Sequence, residues 1–157
     1  MSTPSFFIQP LLYDPVLRCA SFDVYLGEKV SRSTKNLDIA PLFEHYPGLR
    51  KHRCDSPVSR NFYDEARQTD IVHLLEHLTL ELFALSISTT TKDCCGIRGQ
   101  TGIPYKKGHT PDRKAPYRVR FFGANSLEEM DKLIRQGVEL LHDLVLVETE
   151  ETYGHSV

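Results

Sequence analysis

The chain has 157 residues, which favours a single domain spanning residues 1–157. Hydrophobic residues make up 40% of it, charged residues 25%, and the formal net charge is -2, so the overall balance gives no indication of nucleic acid binding. We expect neither a signal peptide nor a transmembrane helix, because the sequence has no basic start followed by an apolar run and no apolar run of membrane length. C-x-x-C spacing is absent among Cys19, Cys54, Cys94 and Cys95, so a reducing cytoplasm is the expected location.

The first half of the chain predicts one strand and two short helical segments. Val16–Leu26 has the β-branched and aromatic residues of a strand, with loose alternation. Leu37–His45 predicts a short helix, which Pro47 and Gly48 end. A turn is expected at residues 55–57, and Asn61–Arg67 predicts a helical turn that leads into a longer helix.

That longer helix is predicted over Thr69–Leu85, with Thr69 or Asp70 as its N-cap. At about 100° per residue, six apolar residues fall on one face: Ile71, Leu74, Leu75, Leu78, Leu82 and Leu85. The opposite face carries four polar residues: His73, Glu76, His77 and Glu81. Because Leu80 and Ala84 lie among these polar groups, we expect this face to form the wall of a cleft.

The polar face has the spacing of a metal site. Side chains four residues apart are neighbours on a helix, so His73 and His77 can offer two imidazole nitrogens to one metal ion. The metal would lower the pKa of its water and polarise a carbonyl, while Glu76 takes the proton of that water. The order H-x-x-E-H is that of the inverzincins. The alternative is an ordinary amphipathic helix whose polar face is solvated.

The second half of the chain predicts a long loop followed by a strand and a helix. Ser86–Pro116 is rich in Thr, Gly, Lys and Pro, and a loop of this length is usually functional or disordered. Between residues 88 and 120 lie eight Lys or Arg against two Asp, a positive segment that can hold substrate carboxylates or simply be solvated. Tyr117–Phe122 alternates as a strand.

Ser126-Leu-Glu-Glu129 is a capping box that begins the last helix. The buried face of this helix is predicted to carry Leu127, Met130, Leu133, Ile134, Leu141 and Leu144. The sequence shows no internal repeat. The coarse order of its elements indicates an α+β fold in which the helices pack on one face of a mostly antiparallel sheet.

Four blocks of the sequence resemble the N-terminal domain of cyanophycin synthetases. They are Tyr46-Pro-Gly-Leu-Arg-Lys-His52-Arg-Cys54, His73-Leu-Leu-Glu76-His77-Leu-Thr-Leu-Glu81-Leu, Gly96-Ile-Arg98-Gly-Gln-Thr101-Gly-Ile-Pro104 and Tyr117-Arg-Val-Arg-Phe121. Their order and approximate spacing match the family from about residue 16 to residue 147, which is far more specific than the short metal motif. The full synthetases continue into ATP-grasp and Mur-ligase-like domains. Neither is found in this sequence, so the resemblance implies degradation or processing and not polymer synthesis.

In some synthetases this domain is a metallopeptidase-like site that trims cyanophycin into primers. Cyanophycin is a poly-aspartate backbone with arginine joined to each side-chain carboxyl. The resemblance therefore implies a zinc-dependent hydrolase that cleaves backbone peptide bonds of cyanophycin or a related Asp/Arg-rich peptide, with β-aspartyl-arginine as one expected product. The order of helix, loop, strand and helix is also similar to the layout of the inverzincin peptidases and of S-ribosylhomocysteinase, which is a likeness of fold alone.

The resemblance leaves the third metal ligand open beside His73 and His77. Cys54 is the first choice, because a thiolate is a good zinc ligand and Cys54 lies in one of the four blocks. His52 and Glu81 are the rivals. Glu81 can instead orient a ligating histidine through a hydrogen bond.

Substrate contacts are expected from the block around Arg98 and Thr101. Arg98 is predicted to clamp a substrate carboxylate with two hydrogen bonds, and Thr101 to hydrogen-bond nearby. Cys94 and Cys95 have no assigned role.

Two other functions are compatible with the sequence. The positive segment between residues 88 and 120 suits a non-catalytic module that holds the ends of cyanophycin for another enzyme. The metal helix also suits a metal-dependent enzyme, such as a lyase, acting on a small molecule. No nucleic acid or membrane partner is expected, and association into homo-oligomers is common for domains of this size.

Overall fold

A four-stranded antiparallel sheet forms one layer of the protein, in a computed structural model that describes residues 6–54, 61–87, 97–102 and 115–146. The strands are β1 (Phe6–Asp14), β2 (Cys19–Leu26), β3 (Arg98–Gly102) and β4 (Tyr117–Phe122). They lie in the order β1-β2-β4-β3, and each neighbouring pair is antiparallel. β2 and β4 are therefore the central strands, with β1 and β3 on either side of them.

One face of the sheet is apolar because the side chains of each strand alternate between its two faces. In β4, Tyr117, Val119 and Phe121 are buried, whereas the intervening arginines are exposed. Val119 is paired with Phe22 of β2, so large apolar residues of neighbouring strands lie side by side on this face. This apolar face is one wall of the hydrophobic core.

The helices supply the second layer. They are α1 (Ala40–His45), α2 (Phe62–Glu65), α3 (Ile71–Ile87) and α4 (Leu127–Leu141). Short 3-10 turns follow α1 and α2, and a π-helical turn, His142–Leu146, continues α4. Ser126 begins α4 as predicted, because its Oγ accepts a hydrogen bond of 3.1 Å from the amide of Glu129. α4 packs against β1 and β2, and α3 packs against β3 and α4.

Gly137 allows α3 and α4 to approach closely. A Cβ atom at this position would lie 3.0 Å from Cδ1 of Leu75 and 3.4 Å from Oγ1 of Thr79. Thr79 is fully buried, and its hydroxyl donates a hydrogen bond of 2.8 Å to the carbonyl of Leu75. The threonine is therefore satisfied within its own helix and presents a compact surface to α4.

The α+β class with helices on an antiparallel sheet is confirmed, and most predicted elements are present. The predicted strand Val16–Leu26 begins only at Cys19, because Oδ1 of Asp14 accepts hydrogen bonds from the amides of Val16 and Leu17 and Arg18 has a positive φ of 51°. The predicted helix Leu37–His45 begins at Ala40.

Two strands were not predicted. β1 contains Pro10, which is tolerated because β1 is an edge strand with a register shift between Pro10 and Leu12. β3 lies within the segment predicted to be a loop, Ser86–Pro116, and consists of Arg-Gly-Gln-Thr-Gly. The intrinsic strand preference of β3 is weak, and its pairing with β4 determines its conformation.

The face of α3 predicted to be apolar is buried, except that Leu85 at its end is half exposed. Three features of the sequence lie outside the described residues: the turn predicted at residues 55–57, the pair Cys94 and Cys95, and most of the positive segment. Among the residues that the structure describes, none of the helices combines the length and hydropathy that crossing a bilayer requires.

Replacement of Gly137 by valine tests the crossing of α3 and α4. We expect Gly137→Val to lower the free energy of unfolding by about 1–3 kcal/mol, because the new side chain overlaps Leu75. Gln136→Val is the matched control, since Gln136 is exposed on the same helix. Urea unfolding of both variants measures the effect, and equal stability of the two would contradict this account of the crossing.

Candidate metal centre

Three side chains converge at the start of α3. His73 and His77 lie one turn apart on this helix, and their Nε2 atoms are 3.2 Å apart. Sγ of Cys54 lies 3.4 Å from Nε2 of His73, and the three ligand atoms all lie within 4.8 Å of one another. A tetrahedral ion with metal–nitrogen bonds of about 2.0 Å and a metal–sulfur bond of about 2.3 Å needs spacings of about 3.3–3.6 Å between ligand atoms. The two spacings that involve His73 are close to these values, and the third is at most 4.8 Å, so the three side chains could hold one metal ion.

Cys54 reaches this point because its segment is paired with the residues at the start of α2. The amide of Phe62 donates a hydrogen bond of 3.1 Å to the carbonyl of His52, and Arg53 forms an isolated β-bridge with Asn61. This pairing places a thiol that is 19 residues from His73 beside the helix. The third ligand was open from the sequence, and the structure favours Cys54.

The other nitrogen of each ligating ring has a partner. Nδ1 of His73 lies 2.9 Å from Oγ1 of Thr69, at the preceding turn. Nδ1 of His77 lies 3.0 Å from Nδ1 of His52. If the hydrogens of both ligating rings are on Nδ1, each Nε2 keeps a free lone pair that faces Cys54. Such contacts fix the tautomer and orientation of histidine ligands.

His52 and Glu81 lie behind His77 and are not ligands in this arrangement. Nε2 of His52 is 3.6 Å from Oε1 of Glu81. The buried carboxylate of Glu81 and the imidazoles of His52 and His77 therefore form a chain that ends at the cluster of candidate ligands. The carboxylate of Glu81 also lies against the backbone of Gly48, where a Cβ atom would overlap it. The predicted orienting role of Glu81 therefore acts through His52.

The ring of Phe62 covers the cluster, a contact that no pattern in the sequence predicts. It is stacked on His77, with ring centroids 3.8 Å apart and an interplanar angle of 20°. It meets His73 edge-on, at a centroid distance of 5.6 Å. Phe62 is fully buried and excludes water from one side of the two imidazoles.

Glu76 stands beside the ligands without being one of them. Its Oε2 lies 3.8 Å from Nε2 of His73 and accepts a hydrogen bond of 2.8 Å from Oγ1 of Thr101 in β3. A Cβ atom at Gly99 would overlap the carboxylate of Glu76, so only glycine leaves room for the observed position. The glutamate is 4% exposed and lies against two residues of β3, Gly99 and Thr101.

Burial changes the protonation of these groups. It raises the pKa of Glu76 to about 7, although the hydrogen bond from Thr101 acts in the opposite direction. Burial, together with the neighbouring His73 and His52, lowers the pKa of His77 to about 2. Burial also lowers the pKa of His73, against the opposing effect of Glu65 and Asp70. Both imidazoles are therefore neutral near pH 7, as metal ligands must be.

A cavity of about 1200 Å³ begins at the cluster. The three candidate metal ligands and Glu76 line it together with Leu80, Ala84 and the consecutive residues 97–101. The wall of this cleft is formed by His73, Glu76 and His77 with Leu80 and Ala84, as predicted, whereas Glu81 of the same predicted face does not line it. The volume of the cavity is slightly above the range usual for small-molecule sites, so there is room for several residues of a polymer.

The two predicted substrate residues lie on opposite faces of β3. Thr101 faces α3 and contacts Glu76, so in this structure it positions the glutamate. Arg98 is exposed, and its guanidinium lies 5.5 Å from the centre of the Phe122 ring on β4. Arg98 lines the rim of the cavity, and its contact with a substrate carboxylate stays a prediction.

Comparison with family models, curated proteins and solved structures found no match for this chain.

The raised pKa of Glu76 predicts a pH-dependent stability in the metal-free protein. The pKa of Glu76 is 4.5 in the unfolded chain and about 7 in the folded protein. The free energy of unfolding of the parent therefore falls as the pH rises through this interval, by about 3 kcal/mol in total. Glu76→Gln removes this titration. We therefore expect the stability of the variant relative to the parent to increase between pH 4.5 and about 8. Urea unfolding with chelator at several pH values measures it, and a difference independent of pH would contradict it.

Proposed function

We propose that this protein is a zinc-dependent hydrolase that cleaves backbone peptide bonds of cyanophycin, with β-aspartyl-arginine as one product. The observation that carries the proposal is the convergence of Cys54, His73 and His77 beside the buried carboxylate of Glu76. Cyanophycin is proposed as the substrate because four sequence blocks resemble the cyanophycin synthetase domain. The proposed fold is the inverzincin-like layout of a metal helix on a sheet, and the proposed location is the cytoplasm.

A zinc ion at this site would lower the pKa of water bound to it and polarise the scissile carbonyl. Glu76 would remove a proton from the attacking water and transfer it to the nitrogen of the departing amine. The bond formed is carbon–oxygen, the bond broken is the amide carbon–nitrogen bond, and one water is consumed. A pKa near 7 suits this exchange, because the group can both accept and release a proton at neutral pH.

The surrounding residues hold these groups in place. Thr101 and Gly99 fix the carboxylate of Glu76 from the side of β3. Glu81 and His52 orient the ring of His77 from behind. Because each reacting group has a neighbour that limits its movement, the site is organised before substrate binds, as catalysis by positioned groups requires.

Incubation with cyanophycin tests the proposal directly. We expect zinc-loaded protein to shorten the polymer and release soluble products, a chelator to stop the reaction, and added zinc to restore it. Glu76→Gln should lower the rate by about 10²–10⁴-fold while metal content stays unchanged, because it removes proton transfer and leaves the ligands in place. Polymer that remains intact with zinc-loaded parent protein would contradict the proposal. Full activity of Glu76→Gln would contradict the role of Glu76.

A single methyl group tests whether the position of Glu76 matters. Gly99→Ala should lower the rate of hydrolysis by about 10–100-fold, because the new Cβ atom displaces the carboxylate. Gly102→Ala is the matched control in the same strand, since its Cβ atom would lie 3.5 Å from the nearest atom, the carbonyl oxygen of Arg118. Both variants should keep their zinc. Equal rates for the two would show that the contact with Gly99 is not needed.

A further inference from the structure

The cavity at the metal cluster touches both faces of β3. Its lining includes the consecutive residues 97–101. Gly99 and Thr101 face the carboxylate of Glu76, whereas Arg98 and Gln100 alternate to the other face of the sheet. A cavity that reaches residues of both faces in unbroken succession must run along the edge of the strand, because the two faces meet only there.

The edge of β3 that faces away from β4 presents main-chain N–H and C=O groups. β4 pairs with one side of β3, and within the described ranges 6–54, 61–87, 97–102 and 115–146 no strand pairs with the other side. Along such an edge, every second residue directs its N–H and C=O groups outward, where another extended chain can pair with them. The five residues of β3 span about 17 Å, which is long enough for a pairing of several residues.

The sequence of β3 places little side-chain bulk along this backbone. Gly99 has no side chain, and glycine inside a strand often marks a place where another backbone or a ligand approaches closely. Opposite Gly99 stands Glu76, whose carboxylate lies 3.8 Å from the metal-ligating nitrogen of His73. A chain paired with this edge would therefore pass the residues that carry out the proposed chemistry.

We propose that the substrate binds as an extended peptide whose main chain pairs with the outer edge of residues 97–101, adding a strand to the sheet. This inference rests on the proposed function, since the paired chain is the one that Glu76 and the metal cluster cleave. Main-chain pairing holds a peptide in register without regard to its side chains. It sets the scissile carbonyl beside Glu76 and leaves alternate side chains of the peptide to the walls of the cavity.

Residue-resolved hydrogen exchange tests the pairing. The protein is zinc-loaded Glu76→Gln, and the probes are a soluble cyanophycin oligomer and a capped, mixed-sequence α-hexapeptide. We expect saturating probe to slow exchange by about ten-fold or more at alternate amides of residues 97–101, while central strand β2, already paired on both sides, changes little. Binding of either probe without slower exchange in residues 97–101 would overturn the inference. Failure of both probes to bind would also overturn it.

Backbone methylation of the bound probe gives an independent readout. N-methyl groups on one alternating set of its residues should weaken binding by about ten-fold, because they remove main-chain donors, and methyl groups on the other set should have little effect. Equal effects of the two sets would overturn the pairing.

The two proposals fail separately. Slower exchange with the hexapeptide, together with no binding of the cyanophycin oligomer, would support the docking edge and remove cyanophycin as the substrate. Cleavage of cyanophycin by the parent protein without slower exchange in residues 97–101 would support the hydrolase and remove the docking edge.

Discussion

The site depends on the presentation of two imidazoles and a thiol to one point. His73 and His77 are brought together by the helix itself, whereas Cys54 is brought to them by the pairing of its segment with the residues at the start of α2. The helix fixes the first two ligands locally, and the tertiary fold fixes the third. A site built in this way exists only in the folded chain, so a metal ion that binds there would stabilise the fold.

The polar face of α3 is expensive to bury without partners. Glu76, His77 and Glu81 are all less than a tenth exposed, yet each has a polar neighbour within 4 Å. The burial of Glu76 also raises its pKa, which opposes the folding of the metal-free protein at neutral pH. Glu76 and His77 also line one cavity. Buried groups that are unfavourable for stability and border a cavity are typical of functional sites, where stability is given up for chemistry.

Two glycines let the backbone lie close to the buried carboxylates of the site. Gly99 and Gly48 each lie against a buried carboxylate, one belonging to Glu76 and the other to Glu81. Both contacts need the absence of a side chain, so these two positions limit what the site can tolerate. Because Gly99 also lies on the edge of the sheet, one strand both holds the proposed general base and borders the cavity.

Much of this architecture could be predicted from the sequence, for identifiable reasons. The 3.6-residue period of α3 placed His73, Glu76 and His77 on one face, because helix geometry depends only on nearby residues. The role of Cys54 could be proposed but not decided, since it depends on a contact between distant segments. β3 was missed because its glycines and polar residues do not resemble a strand until β4 pairs with them. Phe62 was missed because no local pattern distinguishes a residue that stacks on a ligand from one in the core.

X-ray absorption at the zinc edge tests the central claim most directly. Zinc-loaded parent protein should show one sulfur at about 2.3 Å and at least two nitrogens at about 2.0 Å, with multiple scattering from imidazole rings. Cys54→Ala should lose the sulfur contribution and keep the imidazoles. A parent spectrum with no sulfur, or with oxygen ligands alone, would contradict the convergence of Cys54, His73 and His77 on one ion.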